Sequence, residues 1–157
     1  MQSQIFIYIL AIILFSFILL YGYSVIKSWT SEIDDVRYLD FVKRLESSVK
    51  LYSDYGDVNI KTFDAPSGYK GICFVDLSVP DPGSKGICQS TRGDYNPIIC
   101  DSWKAKNQNV FLVPPAETPI TLEEIKVSSG YKCFDFRNGK VTIRFEGLGD
   151  RTKISAS

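Results

Sequence analysis

From Ile5 to Ile26 the chain reads IFIYILAIILFSFILLYGYSVI, an apolar run with no charged side chain in it or before it. As a helix this run is about 33 Å long, enough to cross a hydrocarbon core of about 30 Å with slight tilt. Fifteen of its residues are Ile, Leu, Phe or Val, which makes insertion favourable by roughly 5 kcal/mol at a few tenths of a kcal/mol each. Tyr21, Tyr23 and Trp29 stand where interfacial aromatic residues belong. The pattern predicts a transmembrane segment with a short leader over residues 1–26. Ile5, Ile9, Ile13, Leu14, Phe17, Leu20 and Gly22 mark the helix that meets lipid or other helices. A secretory signal peptide has a basic n-region, a shorter apolar stretch and a small-x-small cleavage site. Met1-Gln2-Ser3-Gln4 and Tyr23-Ser24-Val25 supply none of these, so the segment is expected to be retained.

After the run the pattern changes period. Trp29, Ile33, Val36, Leu39, Val42, Leu45, Val49 and Tyr52 recur at three- and four-residue steps, with charges of alternating sign on the other faces, the mark of an amphipathic helix. Asp40 with Arg44 and Glu46 with Lys50 are acid-before-base pairs one turn apart. No proline interrupts the chain before Gly56, which is a suitable stop. Residues 27–56 are thus expected to continue the same helix. Its apolar stripe is expected to pack on the domain that follows, on neighbouring copies, or on both.

Residues 57–157 alternate on a shorter period between turn residues, as in an antiparallel sheet. Val58 to Phe63, Gly71 to Ser78, Asn109 to Val113 and Thr152 to Ile154 read as strands. Tyr131 to Arg137 and Lys140 to Phe145, joined by Asn138-Gly139, read as a hairpin with Phe134 and Phe136 on one face of its first strand. Pro80 to Gly83 reads as a turn, and Gln89 to Asp101 and Pro114 to Pro119 as irregular loops. Thr121 to Glu124 fits a helical capping box, while Leu122 to Val127 fits a strand, and both remain open. The fold class is therefore α+β: a long N-terminal helix, transmembrane then amphipathic, on one small antiparallel β-sheet domain.

Composition refines the picture at the cysteines. Cys73, Cys88, Cys100 and Cys133 all lie in the β-rich part. An even count suits two disulfides in an oxidising space. Zinc ligands come in pairs two to four residues apart, and these cysteines are spaced far wider, with no histidine in the chain. Of three possible pairings, the favoured one joins Cys88 with Cys100, which would staple a loop, and Cys73 with Cys133, which would join two strands. Lys27, Arg37, Lys43 and Arg44 follow the span and no basic residue precedes it, which by positive-inside counting puts the domain in the cytoplasm. That rule weakens for long translocated domains, and the cysteines favour the other side. The expectation is an N-terminus in the cytoplasm and an extracytoplasmic domain.

No catalytic, cofactor-binding or metal site is expected. Without histidine, His-based triads, general bases and metal motifs are excluded. Gly147-Leu148-Gly149 lacks the third glycine and the following helix of a phosphate loop. Arg92-Gly93-Asp94 spells an adhesion tripeptide, a signal that three residues carry only weakly. The formal net charge is zero and the loops hold no basic cluster, so no nucleic-acid partner is expected.

In organisation the chain resembles the type IV pilins and pilin-like proteins, the archaeal ones in particular. The likeness rests on the retained apolar segment, its amphipathic continuation to Tyr55, the cysteine-bearing sheet, and Gln4-Ile5-Phe6-Ile7 at the start of the run. It implies a processing site between Ser3 and Gln4. Ser3 stands where that family usually has glycine, and Tyr8 where bacterial pilins carry glutamate, so it implies a minor or anchored pilin-like component. The partners it implies are the lipid bilayer, other pilin-like subunits including copies of itself, and an assembly machinery that lifts apolar helices from membrane to filament core. The alternative is a single-span tether whose loops bind a partner at the cell surface. Neither reading makes the chain an enzyme.

Overall fold

The computed structural model describes residues 2–80, 88, 96–123 and 125–156, with side chains described there except at 2, 3 and 27–33. One helix, α1, runs Gln2–Leu51. The chain divides within it into two compact units, Met1–Arg37 and Tyr38–Ser157. Described residues of the first unit are helical throughout.

In the second unit α1 is followed by β1 (Val58–Asp64), β2 (Gly71–Val75), α2 (Pro97–Ala105), β3 (Val110–Val113), β4 (Ile125–Val127), β5 (Tyr131–Asp135), β6 (Lys140–Gly147) and β7 (Thr152–Ala156). The fold is α+β, with two sheets where the sequence suggests one: a four-stranded sheet ordered β1-β6-β7-β4 and a three-stranded sheet ordered β3-β2-β5. All pairings are antiparallel except β4 with β7.

The main core takes Phe41, Leu45 and Val49 from α1, Phe63, Val141, Ile143, Phe145 and Ile154 from the larger sheet, and Ile72, Phe74, Val110 and Leu112 from the smaller one. β2 is buried at every position, which accounts for its unbroken apolar sequence. Ile72 and Phe74 face the main core, while Cys73 and Val75 face a second cluster with Ile99, Cys100 and Trp103 of α2. The smaller sheet is thus covered on both faces.

The amphipathic stripe of α1 is buried in part. Tyr38, Phe41, Val42, Leu45, Val49 and Tyr52 do face the core, wholly or in part. Val36 and Leu39, placed on the same stripe by spacing, are 64% and 54% exposed. The burying face is set by Phe41, whose ring meets Phe63 and Phe136 edge-on at 6.1 and 6.2 Å. Trp29 and Ile33 lie outside the described side chains. Asp40 and Arg44 form the expected ion pair at 2.8 Å.

The Asn138-Gly139 turn forms, with both residues at positive φ and reciprocal hydrogen bonds between Arg137 and Lys140 at 2.8 and 3.0 Å. The hairpin beyond it does not. Only Arg137 and Lys140 bridge, after which β5 pairs with β2 and β6 pairs with β1 and β7. Phe134 and Phe136 nevertheless share the main core, as alternation predicts. Leu122 to Val127 resolves as a strand, β4, over its last three residues.

The expected loop from Gln89 to Asp101 also changes. Residues 89–95 lie outside the described residues, and Pro97 onward is α2. Asn96 caps it by accepting hydrogen bonds from the backbone N–H of Ile98 and Ile99, and Pro97 occupies the first turn. Both are strong helix-start signals.

One buried acid ties the two sheets together. Asp76, 1% exposed, accepts from Ser78 N at 2.9 Å and Ser78 Oγ through Oδ1, and from Val127 N at 3.3 Å through Oδ2. Asp76→Ala leaves two backbone donors without acceptors, and we expect it to lower unfolding stability by about 3 kcal/mol. Chemical denaturation of the full chain in detergent checks this; an unchanged midpoint refutes it.

Candidate functional site

The residues expected to meet lipid or other helices lie in the first unit. Ile5, Ile9, Ile13, Leu14, Phe17 and Leu20 are all exposed, and every backbone group in the middle of the helix is bonded within it. Ser16 Oγ donates to Ile12 O at 2.9 Å, so its hydroxyl is satisfied inside the helix and adds no demand for water. A Cβ on Gly22 would meet nothing within 4 Å, so this position is open on its flank. The segment Gln4–Ile26, 23 residues, has the length and composition of a membrane span. Its apolar exposure runs around the whole helix, which suits hydrocarbon and not water. Ser3 and Gln4, at the implied processing site, lie in the first turn of α1.

The second unit carries the cysteines. Cys73 and Cys133 face each other across β2 and β5 and form one disulfide; Cys88 and Cys100 form the other. The first bridge pins β5 to the smaller sheet, and the second ties residue 88 to α2. Trp103 Nε1 donates to Val79 O at 3.1 Å, and its ring meets Tyr131 at 6.4 Å, closing the cluster around both bridges.

Tyr38, the first residue of this unit, donates through its hydroxyl to Thr118 O at 3.1 Å in the loop from Pro114 to Pro119. Burial, with the nearby Tyr69, holds its phenol above the ordinary range. The loop is thereby tied to α1 at one point. Arg92-Gly93-Asp94 and the turn at residues 81–83 lie outside the described residues.

At the C-terminal end of α1 a cleft of about 200 Å³ is lined by Glu46, Lys50, Ser53, Glu123, Asp150 and Arg151, among others. Arg151 donates to Asp150 Oδ2 at 2.7 and 3.0 Å, which holds that carboxyl below the usual carboxylate range. Acidic and basic side chains mix here, with Arg151 paired to Asp150, and among the described residues nothing in the cleft converges on a reacting atom.

Asp76 was not singled out by spacing, and the tertiary roles of Thr152 and Gly147 were not readable from it. Thr152 Oγ1 donates to Val49 O at 2.6 Å and lies 3.2 Å from Tyr52 O, closing the end of α1 from across the fold. The start of α2, also missed, did have a readable signal, the Asn96-Pro97 pair.

Comparison with protein families, curated proteins and solved structures finds no match to this chain. The class is therefore defined by the fold and the site: a chain with one candidate N-terminal membrane span, continuous in a single helix with the first element of an α+β head held by two disulfides.

Proposed function

We propose that the protein is a pilin-like structural component of a cell-surface filament, anchored and assembled through its N-terminal apolar helix. The observation that carries this reading is the continuity of α1 from Gln4–Ile26 into the head. A tether needs a span, but it does not need the span to be one helix with the core of the domain it holds. Val36 and Leu39, left exposed beside the buried face, give the helix a second apolar flank suited to a neighbouring subunit. The head lies outside the cytoplasm, because paired cysteines persist in oxidising spaces. No chemical step is assigned to the chain, and its partners are lipid, other subunits and the export machinery.

Subunits wait in the bilayer and exchange lipid contact for helix contact when lifted out of it. A charge in the middle of the span opposes both states, at roughly 3 kcal/mol for arginine at the bilayer centre. Leu14→Arg is therefore expected to abolish fibres in sheared surface material, seen by electron microscopy with an antibody to the head, while the purified head segment of the full chain keeps its near-ultraviolet circular dichroism. Label confined to the envelope of wild-type cells, with no labelled fibres, refutes the filament and leaves the tether.

A further inference from the structure

We propose that the free edge of β1 is a self-association surface, on which β1 of a second copy pairs antiparallel about a two-fold axis through Ile60. The ladder between β1 and β6 runs from Val58↔Glu146 to Asp64↔Lys140. Hydrogen bonds at its two ends show which residues turn toward β6: Gly147 N donates to Asp57 O at 2.7 Å, and Ala65 N donates to Gly139 O at 2.7 Å. Odd-numbered residues thus direct their backbone groups inward, and antiparallel alternation directs those of Val58, Ile60 and Thr62 to the open edge. Among the described residues no strand pairs there. The side chains of the same three residues share the outer face of the sheet. Val58 and Ile60 are 53% and 56% exposed, beside an exposed Tyr55.

Edge strands are commonly guarded by a charge that a partner strand must accommodate. Here the guard is Lys61, on the inner face, with its ammonium 5.1 Å from the centre of the Tyr52 ring. The guard selects the register. Centring the two-fold on Lys61 sets two ammonium groups face to face, and centring it on Thr62 sets Ile60 opposite Asp64 and runs Val58 against Pro66 of the second copy. Centred on Ile60, the outer face pairs Val58 with Thr62 of the second copy, Ile60 with Ile60, and Thr62 with Val58, all β-branched. On the inner face Lys61 meets Asn59 of the second copy, with that copy's Asp57 on the diagonal. Each of the three outward pairs exchanges two backbone hydrogen bonds, about six in all. The four-stranded sheet becomes continuous across the two copies.

The pairing has a direction. Phe41 lies against Phe63, and Tyr52 lies under Lys61, so the part of α1 in the head runs opposite to β1. Two heads related by this axis therefore point their Tyr38 ends in opposite directions.

The test uses the full chain in detergent micelles, where the span does not fix the orientation of the heads. Ile60→Glu places a carboxylate beside Arg144, its own cross-strand neighbour, which favours the folded head, and sets two carboxylates face to face in the pair. Sedimentation equilibrium is expected to show a wild-type dimer, weakened at least tenfold in Ile60→Glu and unchanged in Leu14→Arg. Since the native cysteines are all paired, a thiol in Ile60→Cys is expected to cross-link to its counterpart under mild oxidant, and one in Lys126→Cys, on the opposite edge strand, is not. A monomeric wild type, a dimer unmoved by Ile60→Glu, a dimer lost in Leu14→Arg alone, or equal cross-linking at both positions would each overturn the proposal.

Discussion

Gly147→Ala is expected to destabilise the head by at least about 3 kcal/mol, the upper end of the usual cost of overpacking. A Cβ at this position would collide with Asp54 O and stand 2.8 Å from Asp54 C and 2.9 Å from Tyr52 O. None of these is the movable tip of a side chain. They belong to the turn that leaves α1, and that turn is held by Gly149 N donating to Ser53 O at 2.9 Å and by Gly56 N donating to Gly147 O at 3.2 Å. Relief requires the end of β6 to part from the end of α1, which opens the core beneath. Gly22→Ala is the contrasting variant: its Cβ meets nothing, and the stability of the head should not change. Denaturant titration in detergent, followed by near-ultraviolet circular dichroism, compares the two. A Gly147→Ala midpoint equal to wild type would show that this close approach does not exist.

The two disulfides should differ in weight. Cys73–Cys133 spans 60 residues and Cys88–Cys100 spans 12. If a bridge acts mainly on the unfolded chain, removing the first should lose about 4 kcal/mol and the second about 3 kcal/mol. Cys73 is also buried in the cluster beneath α2, so the Cys73→Ala, Cys133→Ala double variant adds a packing loss. Cys133 is exposed and contributes little of that kind. The Cys73–Cys133 double variant is therefore expected to have the lower denaturation midpoint of the two. A reversed order would show that residue 88 and α2 hold the head together more than the strand pair does.

Much of this architecture is legible from local pattern. The run from Ile5 to Ile26 marks a candidate span because it is long enough to cross a bilayer and apolar on every face of the helix. The strands at Val58, Gly71, Asn109 and Thr152 appear within a few residues of their predicted limits, and both disulfides join the favoured partners. The misreadings have a common cause. Asn138-Gly139 specifies a tight turn, but a turn constrains only the residues that flank it. Which strand lies beside β5 is decided by Cys73 and by the apolar face of β2, far away in sequence. Spacing also put Val36 and Leu39 on the apolar stripe of α1 without deciding which part of it packs on the head; the rings of Phe63 and Phe136 choose the face centred on Phe41. The candidate self-association edge was not visible at all, since Val58, Asn59 and Ile60 alternate like any half-buried strand. Only the ladder to β6 shows which of their backbone groups are left over.

By itself the sequence determined the elements and their solvents: an oily helix, its amphipathic continuation, short alternating strands, and thiols spaced for bridges rather than metal. These follow from side-chain hydrophobicity and backbone propensity, which act over a few residues. The tertiary structure alone decided how β5 and β6 divide between two sheets, where α1 stops, and that β1 is an edge strand among the described residues. Those outcomes depend on contacts between distant segments, such as Thr152 with the last carbonyls of the helix and Gly147 with the turn at Asp54. No local window of the chain contains both partners.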